Sequence, residues 1–126
     1  MPIVSVLVPA RNEAENIPDF LRHCANLREE HPELELEVVI VDDGSTDGTG
    51  NLLIEHQALY SWLLPVIHRH GRGISAALQS AGEKARGDIF VFYPADLQFL
   101  PKEIPSLVRP ILSNEADVVT GKKIGT

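Results

Sequence analysis

The chain has 126 residues and 44% apolar side chains, the size of one domain at about 100–200 residues per domain and enough to fill a core. Its formal net charge of −7 argues against bulk binding to nucleic acid or anionic membrane surfaces, so a phosphate-bearing ligand would need local cations or a metal ion. Cys24 is the only cysteine, which excludes an intrachain disulfide and makes a reducing compartment the default, and no apolar run approaches the ~20 residues of a membrane span.

In chain order, strands alternate with helices. Residues 3–8 form an apolar strand. It begins so close to Met1 that no signal peptide fits, and the expected location is cytoplasmic. Residues 12–28 read as a helix capped by Asn12, with Ile17, Phe20, Leu21, Cys24 and Leu27 at spacings of three and four. Residues 36–41 are a second strand. Its Val38–Val39–Ile40–Val41 run suits a strand covered on both faces, as in a parallel sheet. Residues 48–59 read as a helix with Leu52, Leu53 and Leu59 facing inward, Ser45 or Thr46 as its cap and Asp47 in its positive first turn. A short third strand covers residues 63–67. A helix rich in small residues, 74–85, should pack closely on the sheet. Residues 88–93 make a fourth strand, 101–112 a helix opening on proline, and 117–120 a fifth strand.

This alternation predicts an α/β domain with a mainly parallel sheet and right-handed crossovers, residues 1–126 forming a single unit. Gly121–Lys122–Lys123–Ile124–Gly125–Thr126 has no evident partner element, so an N-terminal domain of a longer protein is expected. An exposed sheet edge there would invite self-association, and a homodimer is one expectation. The ends of the first, second and fourth strands should meet at one edge and form a cleft.

The candidate chemistry gathers at that edge. Asp42 and Asp43 end the second strand, where open α/β sheets bind ligands, and carboxylates there can accept hydrogen bonds from a base N–H or a ribose hydroxyl. Pro9 ends the first strand. Arg11 aims a cation at the mouth, either to neutralise the two aspartates or to meet a ligand, and Glu13 is either part of a helix start or a ligand contact. His68–Arg69–His70–Gly71–Arg72–Gly73 precedes a helix. Its glycines permit close backbone approach, and Arg72 is a candidate phosphate contact, the alternative being a solvated basic loop. His68 and His70 could share a metal only with further ligands, and no other His/Cys cluster supports zinc. Asp96 and Gln98 offer oxygen ligands two residues apart, which suits Mg2+ or Mn2+ bound jointly with a diphosphate, although Asp96 could also be a remote helix cap. Lys122 and Lys123 are either solvated or phosphate contacts.

Residues 4–17 (VSVLVPARNEAENI), 38–49 (VVIVDDGSTDGT), 71–77 (GRGISAA), 85–88 (ARGD), 95–98 (ADLQ) and 116–122 (ADVVTGK) together resemble the family 2 glycosyltransferases of the GT-A fold. The nearest subgroup is the dolichol- and polyprenol-phosphate sugar transferases. The resemblance implies a three-layer α/β/α sandwich and inverting transfer of a sugar from a UDP- or GDP-sugar to a lipid-phosphate or glycan acceptor, with a divalent metal on the diphosphate. It implies a base contact for the segment matching Pro9, Ala10, Arg11 and Glu13 and for the aspartate matching Asp42, with Asp43 beside it. Arg72 would lie near base or ribose, and Lys122 is the cation available to phosphate. The DxD motif would bring Ala95 and Asp96 to the donor, and Asp96 and Gln98 to the metal. A lipid acceptor would place the full-length protein at the cytoplasmic face of a membrane, attached through a part beyond residue 126.

The chain departs from the family pattern in three places. Pro94 replaces the first aspartate of the motif, and proline has neither a carboxylate for the metal nor an amide N–H to donate. Ala10 stands where an aromatic residue commonly stacks near the base. The family's later segments, which carry acceptor contacts and in many members the catalytic base, are not within residues 1–126. Pro94 therefore leaves an alternative, a catalytically impaired nucleotide-binding relative or scaffold. A receiver domain is disfavoured because its acids would follow the first and third strands, whereas here they follow the second and fourth. A dinucleotide-dependent dehydrogenase is disfavoured because no G-x-G-x-x-G follows the first strand.

Overall fold

The computed structural model describes residues 3–92 and the strand pair 119–120. Five strands, β1 (Ile3–Ala10), β2 (Glu35–Asp43), β3 (Leu63–His68), β4 (Ile89–Phe92) and β5 (Val119–Thr120), form one sheet in the order β3-β2-β1-β4-β5. Every pairing is parallel. The helices are α1 (Ile17–Glu30), α2 (Thr49–Gln57) and α3 (Ile74–Lys84). The helix expected over residues 101–112 lies outside the described residues.

Strand alternation builds the layers. Val4, Val6 and Val8 of β1 and Leu36, Val38 and Ile40 of β2 face one way and pack against Ile17, Phe20, Leu21, Cys24 and Leu27 of α1 and Leu53 of α2. Leu7, Val39 and Val41 face the other way, onto Ala77 and Ala81 of α3. The small side chains of α3 let it sit close to the sheet, as the sequence predicts. Ile17, Phe20 and Leu21 are fully buried, each contributing about 1.5–3 kcal/mol of apolar transfer free energy. All five predicted core positions of α1 are buried.

The helix starts differ from expectation. Asn12 does not cap α1. Its φ of 55° is left-handed, and its side-chain oxygen accepts from the Thr46 N–H at 2.8 Å. The backbone N–H groups of Asn12, Glu13 and Ala14 go to Ser45 Oγ, Thr49 Oγ1 and Asp47 Oδ2, so these residues are tied to the β2–α2 turn and α1 begins only at Ile17. Neither Ser45 nor Thr46 caps α2. Gly48 precedes it at φ 90°, and Asp47 Oδ1 accepts from both the N–H and the hydroxyl of Thr49. Leu59 is 73% exposed instead of facing inward, because α2 ends at Gln57 and its period stops short of Leu59.

Because β1 lies between β2 and β4, the carboxyl ends of these three strands are neighbours, and the chain reverses its strand order across β1. That is where an open α/β sheet leaves a crevice.

Candidate functional site

Asp42 and Asp43 are consecutive on β2, so strand alternation sends them to opposite faces. Asp42 faces α2. It is 5% exposed, and its Oδ1 accepts from the Ser45 N–H at 3.0 Å. Its Oδ2 rests against Gly50, where a Cβ would come within 2.5 Å of it. This carboxylate borders a pocket of about 340 Å3 that also involves Ser45, Thr46, Gly48, Asn51, Ile54 and Ile67.

Asp43 faces α3. It is 6% exposed, and three donors converge on it. The Arg72 N–H and His68 Nδ1 reach Oδ1, each at 2.9 Å, and the Gly73 N–H reaches Oδ2 at 2.9 Å. Burial pushes this carboxyl up, but the hydrogen bonds from Arg72, His68 and Gly73 more than offset it and hold the group below the usual aspartate range. His68 continues the chain of contacts, its Nε2 lying 2.8 Å from Ser80 Oγ on α3.

Glycine makes this arrangement possible at one close approach. Gly44, at φ 80°, follows Asp43, and a Cβ there would overlap the backbone nitrogen of Gly71. Gly71 in turn lies under Arg11, whose guanidinium nitrogen would be 3.1 Å from a Cβ at that position.

A second pocket of about 340 Å3 opens on the α3 side, lined by Pro9, Ala10, Arg11, Asp43, Gly73, Ile74 and Ala77. The structure thus brings Pro9, Ala10, Arg11 and Asp43 together, as the sequence predicts. Asp42 opens on the other face. Glu13 is turned to its own loop, where its Oε2 accepts from Asn16 Nδ2 at 2.8 Å. Arg72 holds Asp43 through its backbone, and its residue is exposed. Arg11 packs over Gly71 and forms no ion pair with a described residue, the two aspartates included. Ala95, Asp96, Gln98 and Lys122, and with them the expected Mg2+ or Mn2+ ligands, lie outside the described residues. Among the described residues no group of three or more His, Cys, Asp or Glu could hold a metal ion.

Sequence reasoning missed the role of His68, which it weighed only as a weak metal ligand. The missing signal was register, since Asp43 pairs with His68 across the β2–β3 ladder. It also missed a polar knot at the opposite edge. Glu37 Oε2 accepts from Ser5 Oγ and the Arg86 N–H, each at 2.6 Å, and Oε1 accepts from Arg86 Nε at 3.0 Å. Gly87 N–H donates to Ser5 Oγ, and Asp88 N–H to the Ile3 carbonyl. The ARGD segment therefore ties the start of β4 to β1 and β2.

A parallel sheet whose carboxyl edge carries a pocket and a buried carboxylate is the arrangement in which open α/β domains bind ligands. Residues 5–125 match the family described as glycosyl transferase family 2, and the chain belongs to that family. It is 37% identical over 110 residues to the undecaprenyl-phosphate 4-deoxy-4-formamido-L-arabinose transferase of Pseudomonas fluorescens (strain Pf0-1), an alignment covering 83% of this chain and 31% of that protein. Among solved structures it resembles the mannosyltransferase PcManGT of Pyrobaculum calidifontis, in complex with GDP-Man and Mn2+, at a TM-score of 0.70 and 32% identity over 83% of this chain and 30% of the other. S. aureus TarS 1-349 in complex with UDP superposes at a TM-score of 0.71 and 24% identity, covering 90% of this chain and 32% of the other, a likeness of fold. The chain spans about a third of the length of these proteins.

Proposed function

We propose that this chain is the donor-binding part of an inverting glycosyltransferase that moves a sugar from a UDP- or GDP-sugar to a polyprenol phosphate. The observation that carries this reading is the pocket on the α3 side, where Asp43 is held beside Pro9, Ala10 and Arg11 at the carboxyl edge of the sheet. An ionised carboxylate accepts at about four lone-pair sites. Three of those on Asp43 are taken by described residues, and the fourth, on Oδ2, has no partner among the described residues and suits a base N–H. The geometry favours Asp43 for the base contact that the family resemblance gave to Asp42, because Asp42 faces the other pocket. Family membership, the undecaprenyl-phosphate relative and the GDP-Man-bound neighbour support the donor and acceptor classes.

The donor set of Asp96 and Gln98, one carboxylate and one amide oxygen, fits a hard divalent cation that takes its remaining ligands from a diphosphate. Mg2+ or Mn2+ held there would offset the charge of the leaving nucleoside diphosphate. Arg11 and Arg72 add fixed positive charge at the same edge. A lipid phosphate is already anionic, so its attack from the face opposite the leaving group needs no general base. Such an acceptor would bring the protein to the cytoplasmic face of a membrane. Among the described residues no helix is long and apolar enough to cross one.

Calorimetric titration of the full protein with UDP, GDP and their sugar conjugates, in Mn2+ and then in EDTA, tests the reading. Metal-dependent binding of one nucleotide is expected, and Pro94→Asp should strengthen the metal dependence. Failure of the full protein to bind either nucleotide, with or without metal, would refute the donor-site assignment.

A further inference from the structure

His68 is the last residue of β3, paired with Asp43 on the neighbouring strand, and both side chains are 8% exposed. Two hydrogen bonds make it a bridge, Nδ1 to Asp43 at 2.9 Å and Nε2 to Ser80 Oγ at 2.8 Å. An ionised aspartate can only accept, so Nδ1 carries the proton on that side. In the neutral ring Nε2 is then an acceptor, and the Ser80 hydroxyl must donate to it. A directed chain of hydrogen bonds thus runs from α3 through β3 to the end of β2.

The order Asp–His–Ser is that of nucleophilic relays. Here Ser80 lies within α3, where backbone N–H groups are spent on the helix, so the helix offers no pair of free N–H donors beside its hydroxyl. The chain acts in the other direction, on the carboxylate. With the Arg72 N–H, His68 fills both acceptor positions of Oδ1, while Oδ2 keeps Gly73 as its one partner among the described residues. Rotation of the carboxylate would break three bonds together. The lone pair of Oδ2 that no described residue takes therefore has a fixed direction, on the oxygen that Gly73 also holds, and Asp43 and Gly73 both line the α3-side pocket.

We propose that His68, braced by Ser80, is a positioning residue of the donor site, orienting Asp43 so that its one open acceptor faces the bound base. The inference rests on the donor-site reading above. It also makes a specificity statement. A base presenting an N–H toward Oδ2 gains a charge-assisted bond, whereas one presenting a ring acceptor there meets a lone pair of like sign.

The test combines calorimetry of UDP and GDP binding with amide hydrogen exchange at Arg72 and Gly73, in the full protein. Asparagine at 68 places an N–H near the Nδ1 position, and glutamine places its amide near Nε2. His68→Asn should keep nucleotide affinity within a few-fold and keep both amides protected. His68→Gln and His68→Leu should lose about tenfold or more, the scale of one hydrogen bond to a charged group, and should deprotect Arg72 and Gly73. Ser80→Ala should lose about threefold. Equal losses in His68→Asn and His68→Leu would overturn the proposal, since packing alone would then explain them. So would His68→Leu with unchanged affinity and protection. If His68→Leu does not fold, the contrast between Asn and Gln makes the same decision. If the wild type binds neither nucleotide, the donor-site reading fails on its own. The exchange measurement then still judges the brace, upheld by deprotection in His68→Gln but not His68→Asn and overturned by its absence.

Discussion

Glu37 and Asp43 lie on the same strand, point to the same face of the sheet and are both buried, yet they are held in opposite ways. Glu37, near the amino end, meets a full positive charge. The Arg86 guanidinium and backbone and the Ser5 hydroxyl close around it, and the knot joins β1, β2 and the start of β4. Asp43, at the carboxyl end, meets the N–H groups of Arg72, His68 and Gly73 and, among the described residues, no guanidinium. Both carboxyls are pushed up by burial and brought below their usual range by their donors. A carboxylate that is ion-paired holds the fold together. One that is ordered by N–H donors alone keeps its charge available to a ligand.

Substitutions can break this contrast. The largest effect is expected from Asp43→Asn against Glu37→Gln. Asp43→Asn should lower nucleotide affinity by tenfold or more, roughly one charge-assisted hydrogen bond, while Glu37→Gln should leave affinity unchanged and cost about 2–3 kcal/mol of unfolding free energy. Parallel calorimetry and urea unfolding would decide, and a Glu37→Gln protein with impaired binding would erase the distinction. Gly44→Ala comes next. A left-handed φ and an overlap with the Gly71 nitrogen should together cost about 2 kcal/mol and open the loop that supplies the Arg72 and Gly73 N–H groups. A crystal structure of the Gly44→Ala protein with residues 69–73 still in place would contradict this.

Acidification should act on both carboxylates with the same sign. A group whose pKa in the folded protein is below its unfolded value stabilises the fold at higher pH and loses that contribution as pH falls toward the folded value. Stability should therefore be at full strength at neutral pH. It should decline below about the ordinary values of 4.5 for Glu37 and 3.8 for Asp43. Unfolding midpoints measured from pH 7 to pH 2 should show the decline, with Glu37→Gln flattening the upper part of the curve. A midpoint that rises on acidification would contradict the assigned partners. The smallest effect belongs to Leu59→Ser. An exposed residue beyond the end of α2 should change stability by no more than about 0.5 kcal/mol in chemical unfolding. A loss above about 2 kcal/mol would mean that Leu59 is packed after all.

Much of this architecture is legible in the residues alone. The unbroken apolar run of β2 predicts a strand covered on both faces, and Val39 and Ile40 are fully buried on opposite sides of it. The three-and-four spacing in α1 identifies its buried face residue by residue. Local turn chemistry is less legible. Asn12, Ser45 and Thr46 look like helix caps because their side chains can bond nearby backbone, but Asn12 and Ser45 instead bond the backbone of each other's loops, across 33 and 34 positions of sequence. The site is half legible for a related reason. Two adjacent aspartates at a strand end mark the edge of the candidate site, while their division between two pockets follows from alternation once the strand extends to Asp43.

The sequence by itself determined the parallel α/β order, the faces of the core and the edge that carries the candidate site, because hydrophobic period and turn residues act over a few positions. Only the tertiary structure decided that Asp43 shares a pocket with Pro9, Ala10 and Arg11, that His68 and Ser80 brace it, and that Glu37 is closed by Arg86. Those partners lie far apart in sequence, and strand register, which local residues do not encode, sets which of them meet.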